Sequence, residues 1–147
     1  MNQNQEQEKT LNGERRRILL IEDEVNLRDL MKFRLEEAGY EVVVASDGLL
    51  AISLARRERF NVILLDLMLP KLDGYTICRI LKSNDLTRSI PIIMLTARTA
   101  PQDKERGIES GADAYLLKPV DMPSLLEKIS ELTTEKKKEE TVGEVPQ

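Results

Sequence analysis

The chain contains no histidine. That absence excludes Ser-His-Asp and Cys-His catalysis, His-ligated zinc and any internal phosphohistidine in one step. A phosphoryl group passed to this chain from a protein histidine must come from another molecule. There is one cysteine, Cys78, so no intramolecular disulfide and no cysteine-rich metal site can form. Cys78 is expected to pack as a small apolar side chain. No apolar run approaches the ~20 residues of a membrane span, and Met1 to Glu14 is polar, which predicts a soluble cytoplasmic protein without membrane contact. An excess of basic charge is missing too. Lys and Arg total 22 against 26 for Asp and Glu, a net charge of −4. A broad electrostatic footprint for nucleic acid is therefore absent, and the expectation is no direct DNA binding. Arg15-Arg16-Arg17 and the cluster Arg56, Arg57, Arg59 have acidic residues close by and read as solvated ends of strands and helices.

What is present is an alternation. Five short apolar runs, among them Val42 to Ala45 and Ala114 to Leu117, are separated by stretches of helical period, a (βα)5 pattern. In the first helix Leu27, Leu30, Met31, Leu35 and Ala38 recur at three- and four-residue steps before Gly39 ends it. Ser46-Asp47-Gly48 precedes a helix from about Leu49 to Glu58, and Asp73-Gly74 precedes one running to about Lys82. Pro91 suits the entrance of the fourth strand and Pro101 the first turn of the fourth helix, which Gly111 closes. Asp121 caps a last helix whose inner face is Leu125, Leu126, Ile129 and Leu132. One domain over residues 15–134 is expected, with a polar tail at 1–14. A charged tail at 135–147 lacks an apolar stripe and is expected to fray.

Four separated positions end apolar runs: Glu22-Asp23 after Ile18 to Ile21, Asp66 after Val62 to Leu65, Thr96 after Ile92 to Leu95, and Lys118 after Tyr115 to Leu117. In a parallel α/β sheet such runs are buried strands, and their carboxyl ends share one edge where ligands bind. Three carboxylates, a hydroxyl and an ammonium would converge there. That set suits a hard divalent cation held by oxygen ligands and a phosphoryl group met by Lys, Thr and the metal. Isolated Asp and Glu in loops more often cap turns and helices, and Asp47 and Asp73 are assigned to that role. Glu22 and Asp23 could also cap the first helix. Adjacent carboxylates beside Asp66 would repel strongly without a cation, which favours metal binding.

With these residues placed, the chain resembles the receiver domain of two-component response regulators, the CheY-like fold, over about Arg17 to Thr133. The resemblance rests on Ile21-Glu22-Asp23-Glu24, on Asp66-Leu67-Met68-Leu69-Pro70-Lys71-Leu72-Asp73-Gly74, on Leu95-Thr96-Ala97, and on Gly111-Ala112-Asp113-Ala114-Tyr115 with Lys118-Pro119. It rests equally on the order of these motifs and their separations of 43, 30 and 22 residues between Asp23, Asp66, Thr96 and Lys118. It implies a doubly wound, flavodoxin-like α/β fold with a five-stranded parallel sheet in the order 2-1-3-4-5. Asp66 would accept a phosphoryl group from the phosphohistidine of a sensor histidine kinase or a phosphotransfer protein. Magnesium, or manganese in its place, would be held by Asp23, Asp66 and the backbone carbonyl of Met68, with Glu22 holding a metal-bound water. Lys118 would pair with Asp66 and then with a phosphoryl oxygen, Thr96 would take another oxygen, and the Lys118-Pro119 bond would be cis. Tyr115 would be the switch aromatic that reshapes the surface of the fourth helix, fifth strand and fifth helix for a downstream protein target. The chain would not be an enzyme beyond accepting and slowly losing its own phosphoryl group.

The pattern departs from many DNA-binding members at Ala114 and Val120, which argues against their salt-bridged dimer and for a monomer or a weak phosphorylation-dependent dimer. Met68 and Arg98 stand where side chains crowd or admit the hydrolytic water, and a bulky Met68 is expected to slow loss of the phosphoryl group. A flavin or nucleotide binder would carry a Gly- or Ser/Thr-rich phosphate loop where Glu22-Asp23-Glu24 stands. An aspartyl phosphohydrolase would carry a second aspartate where Met68 stands. An adaptor that is never phosphorylated remains as the alternative, although its loss of function would be expected to erase Asp66, Lys118 or the acidic pair.

Overall fold

The computed structural model describes residues 15–67, 69, 72–97 and 101–144. Five strands and five helices alternate along it: β1 (Arg17–Ile21), α1 (Val25–Glu37), β2 (Glu41–Ala45), α2 (Gly48–Arg57), β3 (Val62–Asp66), α3 (Gly74–Ser83), β4 (Ile92–Thr96), α4 (Pro101–Glu109), β5 (Ala114–Leu117) and α5 (Met122–Glu144). The strands form one parallel sheet in the order β2-β1-β3-β4-β5. The expected topology is observed.

Alternation within each strand builds two cores. Leu19, Ile21, Ile63, Leu65, Ile92 and Met94 face α2 and α3, whose Ala51, Ala55, Ile77, Cys78 and Leu81 cover them. Ile18, Leu20, Val62, Leu64, Ile93 and Leu95 face α1 and α5 through Met31, Leu35, Leu125 and Ile129. Both faces of β1, β3 and β4 are thus covered, which is why these runs read as unbroken apolar stretches. Cys78 is buried among them, and burial pushes its thiol up.

Local chemistry sets the helix starts. Asp47 Oδ1 accepts from Leu50 N at 2.9 Å and Asp73 Oδ1 from Thr76 N at 3.1 Å, while Asp121 Oδ2 accepts from Ser124 N at 3.1 Å. These carboxylates take up amides that the first helical turn leaves unpaired. Gly39 and Gly111, each with φ 103°, end α1 and α4 in the left-handed region that favours glycine.

Two expectations need correction. Leu30 is 51 % exposed instead of lying in the core. The buried stripe of α1 runs through Leu27, Met31 and Leu35, and at ~100° per residue Leu30 falls to its flank. The last helix, expected to end near Thr134, continues to Glu144. Its added turns are Glu- and Lys-rich, and both residues form helix readily without an apolar stripe. The expectations for residues 1–14, Met68 and Arg98 fall outside the described residues.

Candidate functional site

The carboxyl ends of β1, β3, β4 and β5 deliver the site. β1 ends at Ile21, so Glu22 and Asp23 leave the sheet beside β3, whose last residue is Asp66. Asp66 pairs in register with Leu95, and Thr96 pairs with Leu117. The Lys118 amide continues this ladder by donating to the Thr96 carbonyl at 2.8 Å. Strand pairing therefore brings together Glu22, Asp23, Asp66, Thr96 and Lys118, which are scattered along the sequence.

Capping of α1 is performed by Glu24, which sequence reasoning did not single out. Its carboxylate accepts from Asn26 N at 3.2 Å and Leu27 N at 2.6 Å. Glutamate is not among the preferred N-cap residues, so composition carried no signal for it. With the cap supplied by Glu24, the acidic pair before it is not needed for that task. Glu22 Oε2 instead accepts from Glu24 N at 3.2 Å, which fixes its carboxylate.

Glu22, Asp23 and Asp66 each present a carboxylate oxygen within 4.8 Å of the other two. Glu22 is 1 % and Asp66 3 % exposed, whereas Asp23 stands at the rim. Lys118 Nζ lies 3.2 Å from Glu22 Oε1 and 3.2 Å from Asp66 Oδ1. The expected pairing with Asp66 is thus shared equally with Glu22. Burial, reinforced by the Asp66 charge, raises the Glu22 carboxyl above its usual range. For Lys118 burial acts to lower the pKa, but the charges of Asp66 and Glu22 outweigh it and the net direction is up. Among the described residues, three carboxylates meet one ammonium in this cluster. Buried like charges this close call for further positive charge, and an all-oxygen donor set with one open, solvent-facing member fits a hard divalent cation.

Thr96 is fully buried at the end of β4. Tyr115, on β5, pairs in register with Met94 and packs half-buried against the core shared with α3. The Lys118-Pro119 bond is cis, as the resemblance implies. Met68, whose backbone carbonyl completes the implied metal set, lies outside the described residues.

Comparison with known proteins agrees with this geometry. The family model for the response regulator receiver domain matches residues 18–130. The DNA-binding dual master transcriptional regulator RpaA of Synechocystis is 46% identical over 116 residues, covering 79% of this chain and 48% of that protein. The chain spans about half or less of the length of the curated relatives it matches. A CheY-like receiver domain protein of Methanospirillum hungatei superposes with a TM-score of 0.78 at 35% identity, covering 84% of this chain and 98% of that one. The receiver domain of a sensor histidine kinase from Pseudomonas aeruginosa PAO1, solved with a magnesium ion coordinated in its active site cleft, gives 0.76 at 34% identity, covering 81% and 98%.

The expectation of no direct DNA binding is overturned by the Synechocystis relative, which is a DNA-binding regulator. A net charge of −4 describes the charge of this chain alone and does not by itself decide whether DNA is bound. Among the described residues no helix is long and apolar enough to cross a membrane. A family model spanning nearly the whole folded unit and solved receivers that superpose on four fifths of the chain lead to one conclusion: the chain belongs to the response regulator receiver domain family of two-component signalling.

Proposed function

We propose that this receiver is a phosphorylation switch in which Asp66 accepts a phosphoryl group from the phosphohistidine of a partner kinase or phosphotransfer protein. The observation that carries the reading is the Lys118 ammonium, 3.2 Å from both Asp66 Oδ1 and Glu22 Oε1 within a cluster whose carboxylates outnumber it. An Asp66 oxygen forms the new bond to phosphorus. The P–N bond of the donor breaks, and its electron pair returns to the donor imidazole. Glu22, Asp23 and Asp66 are the residues that would hold magnesium or manganese, which when bound supplies positive charge against the charge of the transferring group. Lys118 exchanges its contact with Asp66 for a phosphoryl oxygen, and the Thr96 hydroxyl donates to another. The burial of Thr96 means that its movement toward that oxygen is felt by packed neighbours, and Tyr115 relays it to the surface of α4, β5 and α5.

The name of the Synechocystis relative makes control of a DNA-binding output the downstream role best supported. Beyond its own phosphoryl acceptance and slow loss, no turnover is proposed. Intact-mass measurement of the wild type and Asp66→Ala after incubation with acetyl phosphate, with magnesium and with chelator, tests the reading. A gain of one phosphoryl group that needs both magnesium and Asp66 is expected. No gain under any condition would turn the reading to a non-phosphorylated adaptor, and a gain that survives Asp66→Ala would name a different nucleophile.

A further inference from the structure

Helix α3 begins against the backbone that carries Asp66. Gly74, its first residue, is buried and donates its amide to the Leu67 carbonyl at 3.4 Å. A Cβ added at Gly74 would stand 2.8 Å from Leu67 Cα, 3.2 Å from the Asp66 carbonyl oxygen and 2.7 Å from Leu67 Cδ2. Non-bonded carbons settle about 3.5–4.0 Å apart, so α3 comes this close to the end of β3 only because residue 74 is glycine. Gly48 gives the contrast. It too is the buried first residue of a helix, α2, yet a Cβ there would meet only side-chain atoms, Ile77 Cδ1 and Cγ1 and, at 3.6 Å, Leu72 Cδ2. Side-chain ends can yield by changing rotamer, and main chain cannot.

Neither partner at Gly74 is free to retreat. Leu67 is 2 % exposed, and its amide extends the ladder between β3 and β4 by donating to the Leu95 carbonyl at 3.1 Å. Beside Gly74, Tyr75 is 1 % exposed and donates its hydroxyl to the Asp103 carbonyl of α4 at 2.9 Å. The Arg106 guanidinium lies 4.2 Å from the centroid of the same ring, a cation–π contact. The start of α3 is thus wedged between α4 and the end of β3. From that strand end projects the Asp66 carboxylate, with an oxygen within 4.8 Å of those of Glu22 and Asp23 and 3.2 Å from Lys118 Nζ. Ligand distances to a metal ion hold to within ~0.2 Å, so a backbone shift at Asp66 is felt by a cation in this cluster.

We propose that Gly74 is a positioning residue for Asp66: without a Cβ, the start of α3 buttresses the Asp66-Leu67 backbone and holds the Asp66 carboxylate within reach of a divalent cation shared with Glu22 and Asp23. This rests on the reading of the cluster as a cation and phosphoryl site, yet the contact itself needs neither ligand. A methyl group at residue 74 shifts the end of β3, opens the triangle of carboxylates and weakens the hold on the cation.

Manganese binding is read from the electron paramagnetic resonance of the free ion in the wild type, Gly74→Ala, Gly48→Ala and Asp66→Asn. Hydrogen exchange of the Leu67 and Ile63 amides is followed without metal. Ile63 donates to the Pro91 carbonyl at 2.9 Å near the other end of β3 and reports any loss of stability common to the strand. In Gly74→Ala the manganese dissociation constant is expected to rise about tenfold or more, and Leu67 to lose protection beyond the loss at Ile63. Gly48→Ala should bind manganese as the wild type does. Wild-type affinity in folded Gly74→Ala overturns the proposal, as does an equal loss of protection at the two amides, the mark of a glycine that serves folding alone. A comparable loss of affinity in Gly48→Ala overturns it as well. A wild type that binds no manganese, or no more than Asp66→Asn does, overturns the cation reading instead, and the exchange comparison then decides for or against the Gly74 contact. If Gly74→Ala does not fold, the measurements are repeated in trimethylamine N-oxide, which favours compact states. A chain that stays unfolded there assigns the contact to folding and overturns the proposal.

Discussion

The two edges of one sheet treat charge in opposite ways. At the amino-terminal edge Arg17 and Lys82 are each matched by carboxylates. Arg17 bonds Glu58 at 2.8 Å, Glu41 at 3.0 Å and the Arg59 carbonyl at 2.9 Å, and it lies over the Phe60 ring. Lys82 bonds Asp113 at 2.9 Å and the Ile90 carbonyl at 2.8 Å, while the same Asp113 oxygen accepts from the Ile92 amide at 2.8 Å. At the carboxyl-terminal edge Glu22 and Asp66 share Lys118, and Asp23 stands in the same cluster. Folding alone would favour the first arrangement at both ends. The excess of negative charge at the second fits a divalent cation.

Substitutions at the two edges should therefore have opposite signs. Asp66→Asn is expected to abolish phosphoryl uptake, read by intact mass, while raising the metal-free denaturation midpoint, because one of two buried like charges is gone. A lowered midpoint would mean that Lys118 already balances the cluster. Asp113→Ala at the other edge should lower stability by about 2 kcal/mol in urea denaturation, since it leaves the Ile92 amide and Lys82 without their shared acceptor. Phosphoryl uptake by that variant should be retained.

Magnesium should sharpen the contrast. At tenfold excess over its dissociation constant it stabilises a one-site protein by about 1.4 kcal/mol, and this gain should be present in Asp113→Ala and absent in Asp66→Asn. Calorimetric melting with and without chelator reads it directly. A smaller effect is expected from Asp73→Ala, where loss of the cap on α3 should cost about 1 kcal/mol without altering the response to magnesium.

pH separates two carboxyls of opposite character. Glu22 is raised by burial and by Asp66, so the folded state holds its proton more tightly. Its favourable contribution is complete below the ordinary glutamate range and is lost as pH rises through that range to the folded value. Asp73 is lowered: burial opposes this, but the amides of Thr76 and Tyr75, the Thr76 hydroxyl and Arg106 prevail. Its contribution is present above the ordinary aspartate range and is lost as pH falls through the folded value. Metal-free urea denaturation across mildly acidic pH should therefore show stability declining toward neutrality in the wild type and a flatter profile in Glu22→Gln. An unchanged slope in Glu22→Gln would assign the decline to another group.

Much of this was legible without coordinates. The apolar runs located all five strands, and Asp47, Asp73 and Asp121 marked the starts of three helices through their cap chemistry. The acidic pair, Asp66, Thr96 and Lys118 were each readable as strand-end residues. Glu24 was not, because a glutamate cap has weak local preference. The burial of Leu30 was misread because a three-residue step fits the helical period almost as well as a four-residue step. Tyr75 carried no signal for its bond to the Asp103 carbonyl, since nothing local says that a tyrosine of one helix will meet the backbone of the next.

The sequence by itself determined which segments are buried strands, where each ends, and hence which side chains emerge along one edge, because strand and helix periods are local properties of the chain. Only the tertiary structure decided that Lys118 lies equally close to Glu22, 96 positions away in the chain, and to Asp66. It alone decided that the Tyr75 hydroxyl of α3 donates to the Asp103 carbonyl of α4 at 2.9 Å. Such contacts depend on strand order and on how closely helices pack against the sheet, and those follow from the simultaneous fit of both cores, which no single segment specifies.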